Sequence, residues 1–326
     1  MDITLQKNLK LNDYFTQDIH DILIKCVEGH CNIMVCGETG SGKTEFVKYL
    51  ASHTRTNEKV ITIEDTLELH LDKIFPQRDI VAMKTNNVAS YTDVLVTCMR
   101  QNPKWILLSE VRSAEAVSAV RNSISSGHNI LSTIHADKAA AIPYRLYSLM
   151  ETDLDVNQFL NTIYRYIQLG VHIKAYYSKE KGCFHREVDE VVEFYVDENN
   201  VPQNHIIYQK QFGEEPIMNK PSPHLIEYLE NQNINLSEIT SHINDKPFQE
   251  NAEVQPKVVS TNTTTSVSNN PVNKVEEKPK VVTTNTTANV VKPVATAKPS
   301  AAKPVAPVKP AVQAAPATNI NNKPAN

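Results

Sequence analysis

The stretch "CGETGSGKTE" (residues 36–45) decides the fold prediction. It places three of the eight glycines of the chain within six positions. It fits the pattern Gly-x-x-x-x-Gly-Lys-Thr, in which backbone N–H groups face a phosphate, the lysine reaches the terminal phosphates and the threonine ligates Mg²⁺. We therefore expect ATP and Mg²⁺ as ligands of Gly37, Glu38, Thr39, Gly40, Ser41, Gly42, Lys43, Thr44 and Glu45. The alternative is a flexible glycine turn.

The segments on either side of this loop favour the nucleotide site. The preceding "NIMVC" (residues 32–36) is typical of a short buried strand. The following "TEFVKYLASH" (residues 44–53) has the apolar spacing of a helix. Strand, loop and helix in this order are the context that a phosphate-binding loop requires.

The composition of the chain changes near Lys246. Residues 246–326 contain ten lysines, four glutamates and eleven of the eighteen prolines, and no glycine. Such a segment cannot bury a core, so we predict a disordered tail. The formal net charge of the chain is −4, and the cationic tail leaves an acidic body, which argues against a nonspecific nucleic-acid surface. The tail is interpreted as a semi-stiff spacer, or as a segment that binds a partner or anionic lipid.

The sequence also bears on location and redox chemistry. The N-terminus "MDITLQKNLKLNDYF" has no apolar signal region, and no run approaches eighteen uncharged apolar residues. We therefore predict a cytoplasmic protein. Its five cysteines are odd in number and include no Cys-x-x-Cys pair, which supports neither a disulfide framework nor a zinc site.

Strands and helices alternate beyond the glycine loop. Four segments have the character of buried strands: "KVITIED" (59–65), "DIVAMKT" (79–85), "KWILLSE" (104–110) and "HNILSTIH" (128–135). Helical patterns lie between the later ones. This alternation predicts an α/β fold with a parallel sheet and helices on both faces, whose ligands lie at the carboxyl ends of the strands.

Polar residues fall at those strand ends. Glu110 is predicted as the general base or a Mg²⁺ ligand beside Thr44, with capping of the next helix as the alternative. Glu64 and Asp65 are predicted to hold a metal-bound water, or else are solvated loop residues. His135 could sense the γ-phosphate, although a lone histidine is more often only packed or exposed. Five arginines are candidate charge stabilisers, and spacing does not choose among them: Arg78, Arg100, Arg112, Arg121 and Arg145.

Four segments together resemble the secretion-superfamily ATPases that drive type II and type IV secretion, conjugation and pilus assembly. They are "GETGSGKTE", "TIEDTLELHL", "LLSEVRSAEA" and "GHNILSTIHADKAAAIPYRL", similar to the Walker A, acidic, Walker B and histidine boxes of that family. Their order and spacing agree over residues 15–175. The resemblance places His135 on the final box histidine and therefore favours its catalytic role. It also puts Arg100 and Arg112 on positions that match the family.

The resemblance implies a RecA-type P-loop fold that works as a hexameric ring with nucleotide at subunit interfaces. It implies a lead-in over residues 1–30, an ATPase domain over 31–245 and the tail over 246–326. The domain would end in an antiparallel meander beginning at "GVHIKAYYS" (170–178). Because only about one helix precedes the loop, we expect the family's usual N-terminal domain to be absent. Without a four-cysteine insert, the chain resembles the type IV secretion and Tad-like pilus branch.

The leading functional hypothesis is therefore an ATPase that powers a type IV secretion, conjugation or pilus machine. Its partners would be copies of itself and membrane-embedded platform proteins, at the inner face of the cell membrane. A second hypothesis is a nucleotide-gated assembly scaffold with little turnover, for which the tail would be the docking element. A third, a DNA motor, explains neither the acidic body nor the histidine box.

Overall fold

A computed structural model describes residues 14–86, 89–150, 154–179, 182–211, 214–241 and 243. The predicted tail, residues 246–326, and the first thirteen residues of the predicted lead-in lie outside these ranges. The predicted domain boundaries therefore stay predictions.

Within the described ranges, six parallel strands form one side of a nine-stranded sheet, and the first five of them were predicted as such. Their bounds are β1 (Ile33–Gly37), β2 (Val60–Glu64), β3 (Ile80–Lys84), β4 (Trp105–Val111), β5 (Asn129–Ile134) and β6 (Leu169–Ser178). The order across this side is β3-β2-β4-β5-β1-β6, with every neighbouring pair parallel. Strand β5 therefore lies between β1, which leads into the glycine loop, and β4, which carries Glu110.

The antiparallel part continues the same sheet through β7 (Cys183–Val196), β8 (Pro202–Gln209) and β9 (Ile217–Met218). The predicted antiparallel meander beginning at "GVHIKAYYS" is confirmed, and this first segment has one further partner that was not predicted. That segment forms β6, which is antiparallel to β7 but parallel to β1, where Gly37 pairs with Ile173. The predicted meander is therefore bonded directly to the phosphate-loop strand. Hydrophobicity could not reveal this, because a strand's partners are set by tertiary pairing.

Helices cover both faces of the sheet, as the sequence predicted. They are α1 (Gln17–Glu28), α2 (Lys43–Ser52), α3 (Leu71–Ile74), α4 (Tyr91–Met99), α5 (Ala114–Ser125), α6 (Ile142–Ser148), α7 (Val156–Tyr166), α8 (Pro223–Glu230) and α9 (Ser237–Thr240). A short 3₁₀ helix, Ala139–Ala141, precedes α6. One apolar core contains residues of α1, α2 and α8, and the other contains residues of α4 to α7. The predicted α/β class is therefore confirmed.

The helices begin where the sequence supplies capping groups. The Ser90 hydroxyl accepts a hydrogen bond from the Asp93 amide and the Asp93 carboxylate bonds the Ser90 backbone, which together form a capping box at α4. The Ser113 hydroxyl caps α5 in the same way, accepting from the Ala116 amide at 3.3 Å. Across the described ranges, every helix is too short or too polar to cross a lipid bilayer.

Candidate functional site

The glycine loop joins β1 to α2 and depends on glycine at three positive φ angles. Gly37, Gly40 and Gly42 have φ values of 143°, 79° and 94°. Such angles are costly for residues with a Cβ atom. At Gly37 an added Cβ would also lie 2.3 Å from the carbonyl oxygen of Ile173 on β6. The start of the loop therefore packs closely against β6.

The inside of the loop has the chemistry of an anion site. The Ser41 hydroxyl is buried, and no described group bonds it. Because Gly42 caps α2, the first amides of that helix are also left for an external acceptor. Thr44 follows on the first turn and is half-buried, whereas Glu45 is exposed and pairs with Lys48 at 2.6 Å. A phosphate group would satisfy the free hydroxyl and these amides together.

Lys43 is folded into the loop. Its Nζ donates to the carbonyl oxygens of Gly37 at 3.0 Å and Glu38 at 2.9 Å, and its side chain is almost fully buried. Burial lowers the pKa of Lys43, and the nearby Glu110 carboxylate opposes that shift. A buried ammonium whose partners are neutral acceptors would gain strongly from a phosphate anion in the loop.

Glu110 and His135 meet at the carboxyl edge of the sheet. The pairing of β4 with β5 shifts register between Leu108 and Val111, and Glu110 lies in this irregular stretch. Glu110 Oε1 lies 2.7 Å from His135 Nε2, and His135 Nδ1 lies 3.4 Å from Lys43 Nζ. Because an ammonium only donates, Nδ1 is the acceptor and Nε2–H donates to Glu110. His135 therefore links the loop lysine to the predicted base.

Glu110 does not cap α5, which was the alternative for this residue, because Ser113 occupies that position. Its carboxylate is partly exposed and faces His135 instead. The structure thus brings three of the predicted site residues, Lys43, Glu110 and His135, into one cluster.

The two acidic residues after β2 have different surroundings. Glu64 is fully buried, and its oxygens accept from the Thr62 hydroxyl at 2.9 Å and from the Glu68 and Leu69 amides at 2.7 and 3.0 Å. Asp65 is half-exposed and forms an ion pair with Arg112. The predicted role of both acids in holding a metal-bound water stays a prediction, and Glu64 also organises the turn after β2.

Most of the chain matches a known protein family. Residues 3–218 match the model of the family described as "Type II/IV secretion system protein". The chain belongs to this family. The RecA-type fold predicted from the sequence motifs agrees with that membership and with the observed parallel sheet.

Individual members of the family are moderately similar to the chain. An uncharacterized protein of Bacillus anthracis is 33% identical over 197 residues, which cover 58% of this chain and 44% of that protein. The type IV secretion system protein VirB11 of Bartonella quintana is 38% identical over 135 residues, 39% of this chain and 36% of that protein. The chain spans less than half the length of the curated relatives it matches.

Among solved structures, the VirB11 ATPase from the Brucella suis type IV secretion system, in complex with sulphate, is similar with a TM-score of 0.47. It is 28% identical in sequence, and the match covers 59% of this chain and 56% of that chain.

The two arginines that the family resemblance selected lie in different places. Arg112 follows β4 at the edge where Glu110 lies, and its side chain is largely exposed. Arg100 caps the C-terminus of α4 and is exposed. Since it precedes β4 by a few residues, it lies near the amino edge of the sheet and does not join the cluster. Its catalytic role in this family member stays a prediction.

Two other arginines lie at the site. Arg145 on α6 donates to the His135 carbonyl oxygen at 3.1 Å, and Arg186 on β7 donates to the Gly40 carbonyl oxygen at 3.0 Å. Sequence reasoning had Arg145 among its five candidates but did not choose it, although it lies inside the histidine box. For Arg186 no sequence signal existed, because it is 146 positions from Gly40.

Next to the loop lies an open cleft of about 640 Å³. Its walls are formed by Gly37, Glu38, Thr39, His135, Ala136, Asp137, Ala141, Tyr144, Arg145 and Ser148. The volume is in the range typical of small-molecule sites. The described residues contain no group of three or more His, Cys, Asp or Glu side chains placed to hold a metal ion.

Proposed function

We propose that this chain hydrolyses ATP with Mg²⁺ and that hydrolysis drives a type IV secretion, conjugation or pilus-assembly machine. The observation that carries the proposal is the contact series from Lys43 through His135 to Glu110. It links a phosphate-loop lysine to a carboxylate able to activate water, across one intervening strand. Phosphoryl transfer needs a cation at the phosphates and, close to it, a group that orients or deprotonates the attacking water.

The residues present fit a nucleoside triphosphate. The unpartnered Ser41 hydroxyl, the positive φ angles of the loop glycines and the buried Lys43 ammonium all favour a bound phosphate. Mg²⁺, when bound, neutralises charge on the β and γ phosphates. Thr44 and Glu110 are the protein groups proposed to reach it, and two ligands suffice because Mg²⁺ keeps several waters and takes phosphate oxygens.

Each residue then has a defined task. Lys43 would leave the Gly37 and Glu38 carbonyl oxygens and donate to phosphate. Glu110 would accept a proton from the attacking water. His135 donates from Nε2 to Glu110 and thereby orients the Glu110 carboxylate. Because His135 Nδ1 also accepts from Lys43, the position of that carboxylate depends on where Lys43 lies. The histidine would in this way report the nucleotide state to the base.

The machine, its partners and its location are proposed from the relatives. The proteins called VirB11 are named as parts of type IV secretion systems, and a further relative, in Xanthomonas campestris, is a type II secretion system protein. We propose a hexameric ring at the cytoplasmic face of the membrane that acts on membrane-embedded platform proteins. These names support a motor over the scaffold hypothesis.

The experiment that tests the proposal is steady-state ATP hydrolysis by the wild type and by Glu110→Gln. We expect Glu110→Gln to keep ATP binding and to lose most turnover, since an amide cannot accept the proton. Glu115→Gln, which changes an exposed acid on the first turn of α5, is the matched control and should keep wild-type turnover. Full activity of Glu110→Gln would refute its assignment as the base.

Specific activity should also be measured as a function of protein concentration. Activity that rises with concentration supports sites completed between subunits. Binding of ATP without turnover at any concentration would favour the scaffold. If the chain is a scaffold, deleting the residues after Asn251 should abolish binding of its partner. If the chain is a motor, the same deletion should leave basal ATP hydrolysis in place.

A further inference from the structure

Glu190 is a buried carboxylate that the proposed reaction does not use. It lies on β7, in the antiparallel part of the sheet, and is 6% exposed. Its Oε2 accepts a hydrogen bond from the backbone amide of Ala139, with an N–O distance of 2.5 Å. Ala139 is fully buried and begins the 3₁₀ helix that follows His135. A side chain of the antiparallel strands therefore holds the segment that leaves the nucleotide site.

That segment, residues 136–141, is held at its start and at its centre. On the α6 side, Arg145 donates to the His135 carbonyl oxygen. At its centre, the Ala139 amide is the first of a helix and has no acceptor within that helix, so Glu190 supplies one. Ala136, Asp137 and Ala141 of this segment line the cleft beside the phosphate loop. The position of His135 thus depends on a hydrogen bond from outside the parallel core.

A β-bulge lies directly beside Glu190 on β7. The pairing of β6 with β7 shifts register between His172 and Ile173, which leaves Asp189 as the extra residue. Asp189 Oδ1 lies 2.5 Å from His172 Nδ1, and Glu190 pairs in register with His172. On its other side His172 pairs with Cys36, the residue before the loop glycine. The bulge therefore lies where β7 pairs with β6, the strand that is bonded directly to the phosphate-loop strand.

We propose that Glu190 is a positioning residue: it fixes residues 136–141 so that His135 stays between Lys43 and Glu110. Through the same bond, movement of His135 with nucleotide state is passed to the antiparallel strands β7 to β9. This inference rests on the proposed ATPase function. Glu190 is buried and is not one of the residues that line the cleft beside the loop, so its removal should affect the rate of the chemical step more than the binding of ATP.

The test compares three variants of β7. Glu190→Ala should lower kcat about tenfold or more, which corresponds to ~1.4 kcal/mol in the barrier, with the KM for ATP within about twofold of wild type. Glu190→Gln keeps a carbonyl oxygen for the Ala139 amide and should restore most of kcat. Glu187→Ala is the matched control, because Glu187 is an equally buried acid on β7 whose partner is Lys210 at 2.7 Å.

Three outcomes would overturn the proposal. They are wild-type kcat in Glu190→Ala, an equal loss in Glu187→Ala, or no restoration in Glu190→Gln. Should Glu190→Ala fail to fold, Ala139→Pro deletes the same donor at a position where proline suits the start of a helix, and it should give the same loss of kcat.

Hydrogen exchange separates this inference from the ATPase proposal because it needs no turnover. The amides of residues 136–141 should exchange faster in Glu190→Ala than in wild type, and at the wild-type rate in Glu187→Ala. Unchanged exchange in Glu190→Ala would overturn the role of Glu190. If the wild type hydrolyses no ATP but residues 136–141 still exchange faster in Glu190→Ala, the ATPase proposal is refuted and the positioning role of Glu190 is retained.

Discussion

Replacing Glu64 by alanine should destabilise the folded chain, whatever part this carboxylate takes in metal binding. The Glu64 side chain is fully buried, and its Oε2 accepts from the amides of Glu68 and Leu69. Without the carboxylate, two amides of the turn after β2 lose their acceptor. The Leu69 amide is buried, whereas the Glu68 amide lies on an exposed residue where water can replace the carboxylate. At 1–3 kcal/mol for one buried unsatisfied donor, we expect a loss of about 1–3 kcal/mol in the free energy of unfolding.

The assay is urea unfolding at pH 7 without nucleotide, so that ligand binding adds nothing to the measured stability. Glu68→Ala is the control, because it removes an exposed acid from the same turn and should change stability by less than about 0.5 kcal/mol. A loss below about 1 kcal/mol in Glu64→Ala would refute the reasoning, since it would mean that water reaches the freed amides. Loss of activity at unchanged stability would instead favour the metal-bound water predicted for Glu64.

Three further predictions follow from other parts of the structure. Gly37→Ala should abolish ATP binding and destabilise the fold, because the new Cβ would meet the Ile173 carbonyl oxygen. In Gly40→Ala the new Cβ meets no atom within 4 Å, so the free energy of unfolding should fall by only about 1 kcal/mol. Equal effects of the two variants in urea unfolding and nucleotide titration would contradict this. Burial raises the pKa of Glu193 from its ordinary 4.5 to about 7. The folded state therefore binds the Glu193 proton more tightly than the unfolded state does, and the free energy of unfolding should fall as the pH rises from 4.5 to 7. This fall should be larger in wild type than in Glu193→Gln by up to about 3 kcal/mol. Unfolding curves of equal pH dependence would rule out that titration. Arg112→Ala breaks an ion pair whose arginine is largely exposed and should change stability by less than about 1 kcal/mol, and a larger loss on urea unfolding would show that the pair is structural.

The features predicted best from the sequence are those that depend on one short segment of the chain. The glycine loop was identified because its residue types and spacing are themselves the chemical requirement of a phosphate site. Strands β1 to β5 were predicted within a residue or two, since each is a short apolar run ended by polar residues. His135 was uncertain by itself, and only the set of four boxes favoured a catalytic role for it.

Contacts between distant segments could not be predicted in the same way. The bond of Arg186 to the loop and the bond of Glu190 to Ala139 join positions 146 and 51 residues apart. Neither residue differs in its local pattern from other charged residues of a strand. Glu64 shows the same limit, because its position after an apolar strand indicated a metal site but not the two backbone amides that it accepts from.

By itself, the sequence determined that a phosphate-loop motif lies between a strand and a helix, and that acids lie at the ends of predicted strands. These properties depend on residues close together in the chain, where the backbone fixes their relation. The tertiary structure alone decided that β6 pairs with the phosphate-loop strand, that Lys43, His135 and Glu110 touch, and that a carboxylate on β7 holds the segment after His135. Those contacts depend on strand register and on a bulge, because a shift of one residue would turn each side chain to the opposite face of the sheet.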